Sequence, residues 1–90
     1  MVIKTVSIQV SGRVQGVGFR YYTRKKAEEC KVNGFVQNKT DGSVYIEASG
    51  ETIDIDTFID WCKQGPAWAR VLDIRISELP VQEWDGFEIR

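Results

Sequence analysis

The sequence predicts one α+β domain over residues 1–90, with two helices packed on one face of an antiparallel β-sheet. Ninety residues provide enough material for a single hydrophobic core. Short segments with alternating apolar residues predict strands, and two longer segments with apolar residues every three to four positions predict helices. Their order is β-α-β-β-α-β with a short C-terminal edge strand. Right-handed crossovers then place both helices on the same face, which is the split βαβ, or ferredoxin-like, fold.

The strands are predicted from residues that alternate between an apolar and a polar face. In the first strand, residues 5–11, the side chains of Val6, Ile8 and Val10 share one face. Asp41-Gly42 is a strong hairpin signal that joins the second and third strands. The four later strands are predicted at residues 35–37, 43–48, 72–76 and 87–89.

The helices are predicted from two apolar stripes. The first helix runs from Phe19 to about Lys31, and its stripe consists of Phe19, Tyr22, Thr23, Ala27 and Cys30. The stripe of the second helix consists of Ile55, Phe58, Ile59 and Cys62, and Gly65-Pro66 ends that helix. We expect both cysteines to be buried, unreactive thiols, with a disulfide between adjacent helices left open. We expect Trp61, Trp68 and Trp84 to serve in packing.

The composition excludes several kinds of site. The chain has no histidine, which removes histidine-dependent nucleophiles and histidine metal ligands. Two cysteines are too few for a structural zinc site or a disulfide scaffold. We therefore expect no metal and no cofactor. The apolar runs are too short for a membrane helix and the first residues lack a signal-peptide pattern, so we expect a cytoplasmic protein that does not contact membranes.

The strongest functional signal lies in residues 12–20. Gly12, Gly16 and Gly18 separate the first strand from the first helix, where consecutive N–H groups can turn toward one point and bind a phosphate-like anion. The spacing matches neither a Walker A loop nor a complete G-x-G-x-x-G motif. A tight turn without a ligand explains the glycines equally well. Arg20 favours an anion site, because the helix dipole opposes a cation in the first helical turn unless an anion compensates it.

Four sequence blocks resemble the acylphosphatase family. Gly12-Arg13-Val14-Gln15-Gly16-Val17-Gly18-Phe19-Arg20 is similar to the family loop G-x-V-Q-G-V-x-F-R. The other three blocks are Gly34-Phe35-Val36-Gln37-Asn38 with Asp41-Gly42-Ser43-Val44, Gly65-Pro66-Ala67-Trp68-Ala69-Arg70-Val71, and Phe87-Glu88-Ile89-Arg90. They occur in the family's order over nearly the whole chain. The chain departs from the family at Cys30-Lys31, where leucine-glycine is common, and at Gln37, where arginine is common.

The resemblance implies hydrolysis of the carboxyl–phosphate anhydride of a small acyl phosphate to carboxylate and inorganic phosphate, without metal or cofactor. It implies that Arg20 binds the phosphoryl group and that Asn38 positions the attacking water. It also implies a phosphate cradle formed by the backbone amides of Gln15, Gly16, Val17, Gly18 and Phe19. Inorganic phosphate is then a product and an inhibitor, and we expect a monomer.

Two other functions fit the same fold. An accessory module that binds phosphoryl or carbamoyl groups without catalysis would keep the same loop. An RNA-binding module would need aromatic residues on the central strands for base stacking, and the first strand has none while the third offers only Tyr45. The slightly acidic net charge of −1 also disfavours nucleic-acid binding. Without the family resemblance, Asn38 would be interpreted as a residue at the shoulder of a hairpin.

Overall fold

The computed structural model describes residues 2–90. Its elements are β1 (Ile3–Arg13), α1 (Phe19–Glu29), β2 (Asn33–Asn38), β3 (Val44–Glu51), α2 (Thr52–Cys62), β4 (Arg70–Leu79) and β5 (Phe87–Ile89). The predicted ferredoxin-like α+β fold and its element order are confirmed. Neither helix has the length and apolar character required to cross a membrane.

The five strands form one sheet in the order β4-β1-β3-β2-β5. β1 pairs antiparallel with β3 and β4, and β3 pairs antiparallel with β2. The prediction of a wholly antiparallel sheet is wrong at the edge, because β5 pairs parallel with β2. β4 ends at the end of the sheet where β2 begins. Residues 80–86 cross that end, so β5 starts there and runs in the same direction as β2.

The core lies between the sheet and the two helices. From β1 it contains the side chains of Val6, Ile8 and Val10, which alternate as predicted and are fully buried. The predicted stripe of α2 is confirmed, since its buried residues are Ile55, Phe58, Ile59 and Cys62. Aromatic contacts tie the layers together, including Phe58 against Phe87 at 6.0 Å between ring centroids.

Helix α1 is shorter than predicted and its buried stripe is narrower. It ends at Glu29, and Lys31 adopts a positive φ of 59°, so the chain has left the helix before that residue. Phe19, Thr23 and Ala27 are buried, but Tyr22 is 43% exposed, so its assignment to the stripe is wrong. Tyr22 lies to one side of these residues around the helix, where its ring contacts the exposed ring of Tyr21 at 5.0 Å.

Both cysteines are free thiols, and they differ in burial. Cys62 is buried, as predicted, whereas Cys30, just beyond the end of α1, is only half-buried. Burial raises the pKa of both thiols, with the larger shift at Cys62. The tryptophans also differ, because Trp61 packs against Phe19 at 5.7 Å whereas Trp68 is 79% exposed and does not serve the core.

Candidate active site

The glycine loop joins β1 to α1, and its last residue, Gly18, has a left-handed backbone conformation. Gly16 and Gly18 have φ values of 74° and 78°, a region that residues with a Cβ atom rarely occupy. Gly18 is the N-cap of α1, and its carbonyl accepts the first helical hydrogen bond from Tyr22 N at 3.1 Å. Within residues 2–90 no side chain caps this helix, and its first turn contains no acid. The N–H groups of the first turn are therefore available to an anion.

The sheet register brings Asn38 to the same end of the sheet as this loop. Val44 of β3 pairs with Val10 of β1 on one side and with Asn38, the last residue of β2, on the other. Asn38 is thus two strand spacings from Val10, or about 10 Å. The loop starts four residues beyond Val10 and needs only to turn back toward β2 to approach Asn38.

A small pocket of about 230 Å³ lies where the loop and Asn38 meet. Its lining residues are Val14, Gly16, Gly18, Phe19, Arg20, Tyr21, Asn38 and Ile89. The predicted phosphate-binding arginine and the predicted water-positioning asparagine therefore share one cavity, although 18 positions separate them in the sequence. Both side chains belong to exposed residues, so a dissolved ligand can reach them.

Two of the predicted loop residues do not line this pocket. Val17 is half-buried and packs against the core. Gln15 turns its side chain toward the β2–β3 turn, where its Nε2 donates to the carbonyl oxygens of Lys39 at 2.8 Å and Ser43 at 2.9 Å. The prediction concerned the backbone amides of these residues, and that role stays a proposal.

The turn that follows Asn38 is held by its own hydrogen bonds. Lys39 N donates to Ser43 O at 2.9 Å, and Gly42, with a φ of 93°, donates to Lys39 O at 3.2 Å. The Asp41 carboxylate accepts hydrogen bonds from the Ser43 hydroxyl at 2.6 Å and the Ser43 N–H at 2.9 Å. Because these bonds favour the charged carboxylate, they lower the pKa of Asp41. The turn is consequently a stiff support for Asn38.

Sequence reasoning did not single out three of the pocket residues. Ile89 reaches the pocket because β5 pairs parallel with β2, with Ile89 opposite Val36, two residues before Asn38. The other two are Val14, which is buried under the loop, and Tyr21, which is 52% exposed. The C-terminal motif that contains Ile89 could have indicated a functional position. That Ile89 lies at the pocket is evident only from the parallel pairing of β5 with β2.

Lys39 contributes little to this pocket. Its ammonium group lies 5.0 Å from the centroid of the Tyr45 ring. Tyr45 alternates with the buried Val44 and Ile46, so it stands on the face of the sheet without helices. Arg20 is the cationic residue in the lining of the pocket.

A second, larger groove of about 480 Å³ is separate from these residues. It lies along α1, and its lining includes Tyr22, Lys25, Trp61 and Trp68 but none of the predicted site residues. Helical periodicity places Tyr22 and Lys25 on roughly the opposite side of α1 from Arg20. Although this groove is larger than the pocket that contains Arg20 and Asn38, it is therefore the weaker candidate for the active site.

The helix-free face of the sheet carries a small aromatic cluster. Phe35 lies 6.1 Å from both Tyr45 and Trp84, and the Arg90 guanidinium stacks on Phe35 at 4.2 Å. Phe35 is buried as a result, so its ring is not free to stack on a nucleic-acid base.

The local geometry limits the chemistry of the pocket. In residues 2–90, no three or more Asp, Glu or Cys side chains cluster in a way that could hold a metal ion. The pocket offers glycine backbone, a helix N-terminus, one guanidinium and one carboxamide. Groups of these kinds can bind a tetrahedral oxyanion by hydrogen bonds and charge, and an amide can orient a water molecule beside it.

Comparison with known proteins gives the family. The acylphosphatase family model matches residues 6–89. An acylphosphatase from Archaeoglobus fulgidus is 43% identical over 84 residues, covering 93% of this chain and 94% of that protein. The structure of an acylphosphatase from Coxiella burnetii superimposes with a TM-score of 0.94 at 38% identity, covering 98% of this chain and 93% of the other. A crystal structure of full-length HypF in a phosphate- and nucleotide-bound form matches with a TM-score of 0.88 and 33% identity, but only over 12% of that chain.

The fold and the pocket together define a small α+β protein with a glycine loop, an arginine and an asparagine around one cavity. The chain belongs to the acylphosphatase family, as the four sequence blocks indicated. It is accordingly an enzyme of the class that hydrolyses acyl phosphates, and the predicted resemblance of the chain to that family is confirmed.

Proposed function

We propose that this acylphosphatase holds the phosphoryl group of its substrate between the backbone amides of residues 15–19 and the Arg20 guanidinium, while Asn38 positions the attacking water. The observation that carries the proposal is the shared pocket, in which the glycine loop, Arg20 and Asn38 face one small volume. An anion in this pocket also explains why an arginine is tolerated at the positive end of α1.

The reaction requires few catalytic groups. Water attacks phosphorus, the bond between phosphorus and the bridging acyl oxygen breaks, and the acyl group leaves as a carboxylate. A carboxylate is a good leaving group, so no strong general acid is needed. Catalysis then rests on position and on stabilisation of the charge on the transferring phosphoryl oxygens. The amide of Asn38 cannot take the proton of the water, which passes to a phosphate oxygen or to solvent.

The test is the hydrolysis of benzoyl phosphate, followed by its ultraviolet absorbance. We expect the wild-type chain to hydrolyse it and inorganic phosphate to inhibit competitively. Asn38→Ala should lower kcat by about 10²-fold through loss of water positioning and leave inhibition by phosphate nearly unchanged. Asn33→Ala, at the other end of β2 and exposed, is the matched control and should retain full activity. A wild-type rate equal to the uncatalysed rate, or full activity in Asn38→Ala, would refute the assignment.

A second candidate function is an accessory module that binds phosphoryl or carbamoyl groups without hydrolysis. The similarity to HypF supports it, because the match covers only 12% of that full-length chain, so there a unit like this one is a small part of a larger protein. The benzoyl phosphate assay separates the two candidates. An accessory module would bind inorganic phosphate, detected by calorimetry, and leave benzoyl phosphate intact.

The expected partner is a small acyl phosphate, with no nucleic acid, membrane or second subunit required. The pocket of about 230 Å³ is large enough for a phosphoryl group. The monomeric state and cytoplasmic location belong to the same proposal. Sedimentation equilibrium tests the first, and fractionation of the source cells tests the second.

A further inference from the structure

The Gln15 side chain connects the phosphate-binding loop with the turn that carries Asn38. Its Nε2 donates one hydrogen bond to Lys39 O at 2.8 Å and another to Ser43 O at 2.9 Å. Both partners are carbonyl oxygens, which only accept, so the orientation of the amide follows from the contacts. The two hydrogens of the amide nitrogen are thereby both used, and the side chain bridges the two sides of the turn.

The turn does not need Gln15 in order to form. A backbone bond already joins Lys39 to Ser43, and the Asp41 carboxylate accepts two more hydrogen bonds from Ser43. The Gln15 bonds instead cross from one chain segment to another, over 24 and 28 sequence positions. Their structural effect is to fix the distance between the glycine loop and the residue that follows Asn38.

This distance matters for the proposed reaction. The loop would hold the phosphoryl group, and Asn38 would hold the water that attacks it. A displacement of about 1 Å between two such groups costs up to ~10² in rate. Gln15 is not among the pocket-lining residues, and its side-chain nitrogen is bonded to the turn.

We propose that Gln15 is a positioning residue whose side-chain amide sets the spacing between the phosphate cradle and the water held by Asn38. This inference rests on the proposed function. Its particular prediction is that losing the amide impairs attack by water while phosphate binding persists. A residue needed only for the fold would impair both together.

The test compares Gln15→Met, which has similar length but no donor, with Gln9→Met. Gln9 is the matched control because its Nε2 donates to the Ser43 hydroxyl at 3.2 Å from β1 and does not touch the glycine loop. For benzoyl phosphate we expect Gln15→Met to lower kcat by about 10- to 100-fold. Its inhibition constant for inorganic phosphate should stay within about threefold. Gln9→Met should stay within about twofold of wild type in both measurements.

A double-mutant cycle gives the sharper readout. In an Asn38→Ala background the water is no longer held, so adding Gln15→Met should lower kcat by less than about threefold. The proposal is refuted if Gln15→Met costs the same factor with and without Asn38. It is also refuted if the inhibition constant for phosphate weakens as much as kcat falls. Circular dichroism confirms that each variant is folded.

Failure of the proposed function looks different. If wild-type protein leaves benzoyl phosphate intact, the proposed role of Asn38 in hydrolysis is refuted, and so is the proposed effect of Gln15 on kcat. The structural link is then judged by NMR relaxation of the backbone amides. If the link exists, the order parameters of residues 16–18 fall from about 0.85 toward about 0.6 in Gln15→Met and not in Gln9→Met. Unchanged order parameters in Gln15→Met remove the link as well.

Discussion

Replacing Arg20 by glutamine should lower the activity and leave the stability of the protein unchanged or slightly raised. Within the described part of the chain, the Arg20 side chain forms neither a hydrogen bond nor a salt bridge, and the residue is exposed. It also lies in the first turn of α1, where the helix N-terminus already carries partial positive charge. Within the described residues, no hydrogen bond or salt bridge of the guanidinium therefore stabilises the ligand-free fold, and its proposed use is to bind the phosphoryl group.

The two effects have different sizes. Loss of one donor to a developing oxyanion costs ~2.7–4 kcal/mol of transition-state stabilisation, or about 10²–10³ in kcat. Removal of a cation from a helix N-terminus stabilises a helix by ~0.3–1 kcal/mol at low ionic strength. We therefore expect Arg20→Gln to lose nearly all activity while its free energy of unfolding equals or slightly exceeds the wild-type value.

The assay pairs benzoyl phosphate hydrolysis with urea unfolding at low salt, each with and without inorganic phosphate. Phosphate should stabilise the wild type, since it binds only the folded state, and should stabilise Arg20→Gln less. Arg24→Gln, one helical turn later and outside the pocket, is the matched control and should keep wild-type activity. A large loss of stability in Arg20→Gln would refute the reasoning, as would activity within tenfold of wild type.

Two further predictions follow from the pKa directions. Hydrogen bonds from Ser43 lower the pKa of Asp41, so the stability that its carboxylate contributes is present above its ordinary pKa and is lost as pH falls through the lower folded value. In urea unfolding, the free energy of unfolding of wild type should exceed that of Asp41→Ala at neutral pH, and the difference should shrink in strong acid. A difference that does not change with pH would contradict this assignment. Burial raises the pKa of Cys62 more than that of Cys30, so a thiol-specific disulfide reagent at neutral pH should modify Cys30 slowly and Cys62 only after unfolding. Rapid reaction of Cys62 in folded protein would contradict that burial.

Periodicity predicted the fold well where one face of an element is buried. The stripe of α2 and the alternation of β1 both match the buried side chains. Periodicity wrongly predicted that Tyr22 is buried. A stripe shows which residues share one side of a helix, but it does not show how much of that side the sheet and the other helix cover. Parallel pairing of β5 was missed for a different reason. A three-residue strand has too short a pattern to indicate its direction, which follows from where β4 ends.

The candidate site, too, could be predicted only in part from the sequence. The glycine loop and Arg20 could be found from local chemistry, because a cation at a helix N-terminus after three glycines calls for an anion. Asn38 could not, since an asparagine next to a turn is common and only the family resemblance singled it out. Gln15 was assigned for its backbone alone, and its side-chain bonds depend on the position of the β2–β3 turn. Contacts across 24 or more residues leave no trace in a local pattern.

The spacing between the loop and Asn38 is set at two levels of precision. The sheet register determines the coarse spacing, because Val44 pairs with both Val10 and Asn38 and so holds them about two strand spacings apart. That distance, about 10 Å, is too long for a phosphoryl group and its attacking water. The loop must close most of it, and glycines with positive φ let the loop turn back. Val14 and Val17 anchor the loop in the core but do not join it to the turn that follows Asn38. We expect the fine spacing to depend on bonds between the loop and this turn, and the Gln15 amide supplies two.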